Sequence, residues 1–201
     1  MSALLALRRP LAFLMAGLLV AALSDPGLPT ASAQTALPRL RVVASFSVLA
    51  DMVREVGGDA VEITALVGPD ADAHVFEPSP ADVQRVARAD LVVVNGFGFE
   101  GWIERLIRSS GYRGRVVVAS QGIQPRRVDG VADPHAWQSL VLAQRYVDNL
   151  RAALVAARPA QAAHFDARAT DYQRRIVALH QSISPSFSTD TDSTAKSLIH
   201  I

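Results

Sequence analysis

Four short runs rich in valine and leucine, Leu40–Ser45, Val61–Val67, Leu91–Val94 and Arg115–Ala119, recur along this chain with helical stretches between them. Each is close to continuously apolar rather than alternating, the pattern of a strand covered on both faces. The segments between them follow a different period. Val48, Leu49, Met52, Val53 and Val56 fall on one i, i+3/i+4 stripe, so Phe46–Val56 reads as an amphipathic helix. Strand and helix in alternation predict an α/β fold, a four-stranded parallel sheet flanked by helices and joined by right-handed crossovers.

The breaks between elements carry their own signals. Gly57-Gly58 ends the first helix, and Gly68-Pro69-Asp70 ends the second strand. Ser79-Pro80-Ala81-Asp82 is a helix start in which Ser79 caps, Pro80 fits the first turn and Asp82 holds the capping-box position. That helix should turn Val83, Val86 and Ala87 inward. Asn95-Gly96 closes the third strand, and Trp102, Leu106 and Ile107 mark the apolar face of the helix after it. A further helix is expected over Gln138–Ala157, and after Pro159 a long one to about Ile183, leaving the lobe.

The first 33 residues read as an export signal: Arg8-Arg9, an apolar run from Leu11 to Leu23, then Ala31-Ser32-Ala33 before Gln34. The apolar run is short for a bilayer span and is followed directly by polar, Pro/Gly-bearing sequence. The chain holds no cysteine, which excludes disulfides, thiolate ligation and a lipid-modified cysteine, so the expected product is soluble and periplasmic. A net charge of +1, with arginines spread along the helices, gives no nucleic-acid footprint. The expected organisation is a signal over 1–33, an α/β metal-binding lobe over 34–158, a linker helix over 159–183 and a polar tail over 184–201.

Two loops carry the candidate chemistry. Asp72-Ala73-His74-Val75-Phe76-Glu77-Pro78 and Asp133-Pro134-His135-Ala136-Trp137-Gln138-Ser139 each lie beyond an apolar run. A neutral imidazole is the commonest side-chain ligand of zinc and its neighbours, and loops at the carboxyl ends of strands are where open α/β sheets bind ligands. Read on their own, both histidines could equally be surface residues in turns. Asp133 and Pro134 should shape the turn that delivers His135, with Trp137 packed beneath it. Glu77 is either an acceptor that fixes the tautomer of His74 or an exposed loop carboxylate, the second being preferred.

From about Arg41 to about Ile183, and most specifically in Asp-Pro-His-Ala-Trp, the chain resembles the zinc- and manganese-binding receptors of bacterial ABC importers. The resemblance implies a two-lobed receptor of which this chain carries the N-terminal lobe and the linker helix. It implies His74 and His135 as metal ligands, zinc or manganese as the bound ion, and an inner-membrane ABC permease as partner. Some zinc receptors of this kind carry an acidic residue beside the first histidine, where Ala73 stands here, and a His-rich loop, which the segment 121–133 lacks.

Upstream of the tail every basic residue is arginine, whereas 184–201 is rich in Ser, Thr and Asp and holds the one lysine, Lys196. The tail is either a flexible polar terminus or a shifted reading frame. The family's second lobe has a strand resembling Arg-Lys-Val-Ile, and codons for those four residues read one base late can give Ala-Lys-Ser-Leu, as at Ala195–Leu198. His164 and His180 fall on the long helix, where exposure is expected, and His200 has no second-lobe scaffold, so none counts as a ligand. The competing functions are a metal-dependent hydrolase with Glu77 as general base, which lacks the helical H-E-x-x-H spacing, an adhesin-like interaction protein, or a non-functional fragment.

Overall fold

The valine runs become strands β1 (Leu40–Phe46), β2 (Val61–Val67), β3 (Leu91–Val94) and β4 (Arg115–Val118) in a computed structural model that describes residues 37–188. The export-signal segment and residues 189–201 of the tail lie outside the described residues. All four strands pair in parallel, in the order β2-β1-β3-β4. Val42 of β1 stands opposite Ile63 on one side and Leu91 on the other. An interior strand must bury both faces, which is why Val42, Val43 and Ala44 are all apolar and all buried. At the edge, β4 buries Val117 while Val116 and Val118 stay partly exposed. The four-stranded parallel sheet with flanking helices is therefore the architecture expected from the sequence.

Helix α1 (Ser47–Gly57) packs on β1 and β2 through Leu49, Met52, Val53 and Val56. Val48, expected on that stripe, is exposed instead. It precedes Leu49 by one residue, about 100° around the helix, and so falls at the margin of the buried arc. Helix α2 (Pro80–Ala87) starts with the predicted capping box: the Asp82 carboxylate accepts from the Ser79 backbone N–H at 2.8 Å, and the Ser79 hydroxyl accepts from the Asp82 N–H. It buries Val86, but Ala87 faces solvent, contrary to expectation. Helix α3 (Ile103–Ser110) packs against α2.

The antiparallel pair β5 (Arg127–Val128) and β6 (Val131–Ala132) was not anticipated. Asp129 and Gly130 at its turn both have positive φ, 51° and 81°, the backbone of a two-residue hairpin turn whose preferred sequence is Asp-Gly. A single 3-10 turn, Ala136–Gln138, follows, so the next helix, α4 (Leu140–Ala157), begins later than expected and is capped by Ser139.

After Pro159, α5 (Ala162–Ser188) runs past the expected end at Ile183. Its first half does not stand away from the sheet layers. Phe165, Ala169 and Ile176 are buried, Arg168 Nε donates to the Glu55 carbonyl at 2.8 Å, and His164 Nε2 donates to the Gly57 carbonyl at 3.1 Å. Arg151 of α4 pairs with Asp166 at 2.9 Å. The helix thus closes over α1 and α4 before continuing. No helix among the described residues is long and apolar enough to cross a membrane.

Candidate metal centre

In the strand order β2-β1-β3-β4 the chain leaves β1 for one neighbour and later returns on its other side, so the loops after β1 and β3 diverge and leave a crevice at the carboxyl ends. His74 arrives there on the loop after β2, and His135 arrives after the hairpin that follows β4. The same local device turns both. Asp72 Oδ1 accepts from the His74 backbone N–H at 2.8 Å, and Asp133 Oδ1 accepts from the His135 N–H at 3.0 Å, each carboxylate folding the chain back two residues on.

The two rings meet. His74 Nε2 and His135 Nε2 stand 3.2 Å apart although 61 positions separate them in sequence. Two nitrogens each about 2.0–2.1 Å from a tetrahedral zinc ion are themselves about 3.3 Å apart, so a cation fits between these atoms with little movement.

Aromatic side chains hold the pair from below. Phe99 meets His74 edge-on at 4.5 Å between centroids and His135 at 5.8 Å. Trp137 packs against His135 at 5.1 Å, as expected; Phe46, the last residue of β1, lies 4.9 Å from both Phe99 and Trp137, and Phe99 meets Trp137 edge-on at 4.7 Å. The Ala73 carbonyl accepts from Trp102 Nε1 at 2.7 Å, which ties the His74 loop to the start of α3.

Phe99 reaches this position through a turn with three successive positive φ values, Gly96 at 93°, Phe97 at 57° and Gly98 at 78°. A Cβ at Gly96 would lie 2.7 Å from Val118 Cγ1, so only glycine fits there. Strain of this kind persists only where surrounding contacts enforce it.

Asp133 does more than shape the turn. Its Oδ1 also faces His135 Nδ1 at 2.8 Å, while Arg126 donates to Oδ2 through Nε at 3.2 Å and Nη2 at 3.0 Å. The hydrogen bonds from His135, backbone first and ring second, followed by Arg126, pull the Asp133 carboxyl down to about 2. An ionised carboxylate only accepts, so His135 Nδ1 carries the proton and, in the neutral ring, Nε2 presents a lone pair. The hydrogen shared between the two Nε2 atoms then comes from His74. A cation placed between the rings would take the place of that proton, and His74 would pass to its other tautomer.

The Asp133 shift has a consequence for acid stability. Its pKa is lower folded than unfolded, where an aspartate titrates near 3.9. The stability it contributes is therefore complete above that value and is lost as pH falls towards about 2. Urea unfolding of an Asp133→Asn variant should show a shallower loss of stability between about pH 4 and pH 2 than the parent. If the ring pair takes up a metal ion, the same variant should hold it about 10–100-fold more weakly, because the partner that orients the imidazole is changed.

Glu77 is exposed, as the preferred reading had it, and Asp133 rather than Glu77 supplies the carboxylate on the ring pair. The spacing that could have shown this is the repeated Asp-x-His word. His164 is half-buried against α1 and His180 is exposed. His200 lies outside the described residues. Among the described residues no cluster of three or more His, Cys, Asp or Glu that could hold a metal ion forms.

Residues 42–198 match the protein family described as zinc-uptake complex component A, periplasmic. The chain is 33% identical over 146 residues to the iron-binding protein YfeA of Yersinia pestis, covering 70% of this chain and 47% of that one. It is 33% identical over 144 residues to the manganese-binding lipoprotein MntA of Halalkalibacterium halodurans, covering 71% and 48%. Among solved structures, the Mn-bound periplasmic metal-binding protein of Candidatus Liberibacter asiaticus superposes with a TM-score of 0.66 at 29% identity, over 73% of this chain and 55% of that one. The chain spans about half the length of the curated relatives it matches.

Proposed function

The chain belongs to the family of the periplasmic zinc-uptake component, and on that basis we propose that it captures a divalent transition metal, zinc or manganese, for delivery to an ABC permease of the inner membrane. His74 and His135 are the protein ligands in this reading, and the observation that carries it is the 3.2 Å approach of their Nε2 atoms with His135 already oriented by Asp133. Imidazole nitrogen suits zinc and is also found in manganese sites, further imidazole favouring the first and further carboxylates the second.

A binding protein needs an ion that can be held and released, not an activated water beside it. The carboxylate that bonds the imidazole pair, Asp133, is engaged as an acceptor by His135 and Arg126, and Glu77 is an exposed loop residue. This favours a receptor over a hydrolase. Calorimetric titration should show one Zn²⁺ or Mn²⁺ bound per chain, with no metal-dependent cleavage of activated esters or phosphoesters. Cleavage that tracks metal loading would reverse the assignment. We also infer export, with cleavage after Ala33. N-terminal sequencing of periplasmic product should begin at Gln34, and an unprocessed, membrane-retained chain would contradict it.

A further inference from the structure

Asn95, the first residue after β3, is fully buried, and every polar atom of it is engaged. Its Nδ2 donates to the Pro134 carbonyl at 2.9 Å and to the Gly96 carbonyl at 3.0 Å. Its Oδ1 accepts from the Tyr146 hydroxyl at 2.8 Å, from α4. Carbonyls can only accept, so the two of them require the NH₂ end and leave Oδ1 for the tyrosine. The backbone is fixed as firmly: Asn95 N–H donates to Glu100 Oε1 at 2.6 Å, and the Asn95 carbonyl accepts from Ser120 Oγ at 2.6 Å. The buried Glu100 carboxylate also accepts from Ser45 Oγ at 2.5 Å and from Gly96 N–H at 3.3 Å.

Pro134 immediately precedes His135, and across that join β3, α4 and the His135 loop are held by one amide. We propose that Asn95 is a positioning residue for the metal ligand His135, holding the Pro134 carbonyl so that His135 Nε2 already stands beside His74 Nε2 before an ion arrives. The Asp133 contacts set how the ring is turned within its own loop. Asn95 supplies the side-chain hydrogen bond between this loop and the end of β3, 39 positions away in sequence, beside the ring contact of Trp137 with Phe46. Without it the loop keeps its internal turn but loses its distance from His74.

The inference rests on the receptor reading, and the test separates the two. Co²⁺ is the probe, because its visible absorption reports the coordination geometry as well as occupancy. The variants are Asn95→Asp, Tyr146→Phe and Asn149→Ala, with His135→Ala as reference. Asn95→Asp keeps an acceptor for Tyr146 but has no N–H for Pro134 and sets a carboxylate against two carbonyls. It should weaken Co²⁺ binding at least tenfold and alter the spectrum of the bound ion, while far-UV circular dichroism stays native. Tyr146→Phe removes the hydroxyl that fixes the amide and should weaken binding severalfold with a spectral change in the same direction. It decides the matter if Asn95→Asp does not fold. Asn149→Ala, which loses the bonds from α4 to the Ala119 and Gln121 carbonyls but none to Asn95 or Tyr146, should lower stability and leave both affinity and spectrum unchanged.

If His135→Ala abolishes binding while the decisive Asn95 or Tyr146 variant keeps parental affinity and spectrum, the positioning role is wrong and the receptor reading stands. The role also fails if Asn149→Ala weakens binding as much as that variant. If the parent and His135→Ala bind Co²⁺ alike, the receptor reading itself fails and the positioning role falls with it.

Discussion

Replacing either His74 or His135 by alanine should lower zinc or manganese affinity at least a hundredfold, about 2.7 kcal/mol, and replacing both should leave no saturable binding. The reason is chelation. With both imidazoles held 3.2 Å apart by the protein, the second nitrogen binds an ion already localised by the first. A single ring offers only a monodentate contact that water competes with. His164→Ala should leave metal binding unchanged, because its ring serves the Gly57 carbonyl of α1. Isothermal calorimetry on the single, double and control variants measures all of this. Unchanged affinity in the double variant would sink the assignment of this site. Protons compete with metal for imidazole nitrogen, so affinity should also decline as pH is lowered.

Phe165→Ala should destabilise the helical layer by about 3–5 kcal/mol. Phe165 is fully buried near the start of α5, and α5 covers α1 and α4. Domain stabilities are only about 5–15 kcal/mol, so this one change removes a large part of the total. Leu179→Ala, farther along the same helix at an exposed position, should change stability by no more than about 0.5 kcal/mol. Urea titrations of the two variants give the comparison directly. Equal effects would mean that the packing of α5 against the lobe does not stabilise it.

Legibility from sequence followed how local each determinant is. The strands were readable because an interior parallel strand must be apolar on both faces, and Val42, Val43, Val92 and Val93 are buried accordingly. The start of α2 was readable because a capping box lies within four consecutive residues. Val48 and Ala87 were misplaced because residues at the margin of a helical stripe are decided by neighbouring elements rather than by period. The Asp129-Gly130 dipeptide is a hairpin signal, but strands of only two residues each are too short to add a period to it.

At the site, the two histidines were legible through their loops and the family resemblance, whereas of their support only the repeated Asp-x-His word left a local trace. Whether Asp133 or Glu77 meets an imidazole depends on turn geometry, and the link from Asn95 to Pro134 joins residues 39 positions apart. Nothing in an Asn-Gly dipeptide after a strand distinguishes an amide that holds a loop from one that merely ends an element.

The position of β1 governs when this lobe can form. The first strand made is an interior one, flanked by β2 on one side and β3 on the other, and its own helix α1 is covered by α5 through contacts 107 and 113 positions apart in sequence. Loop-closure entropy must be overcome for these distant pairings before they return any stability, so such topologies fold slowly and late. β1 completes its pairing only with β3, and the outer surface of α1 is covered only by α5. The pairing of β1 and the cover over α1 are therefore both completed only by segments made later, the last of them near the C-terminal end of the described residues.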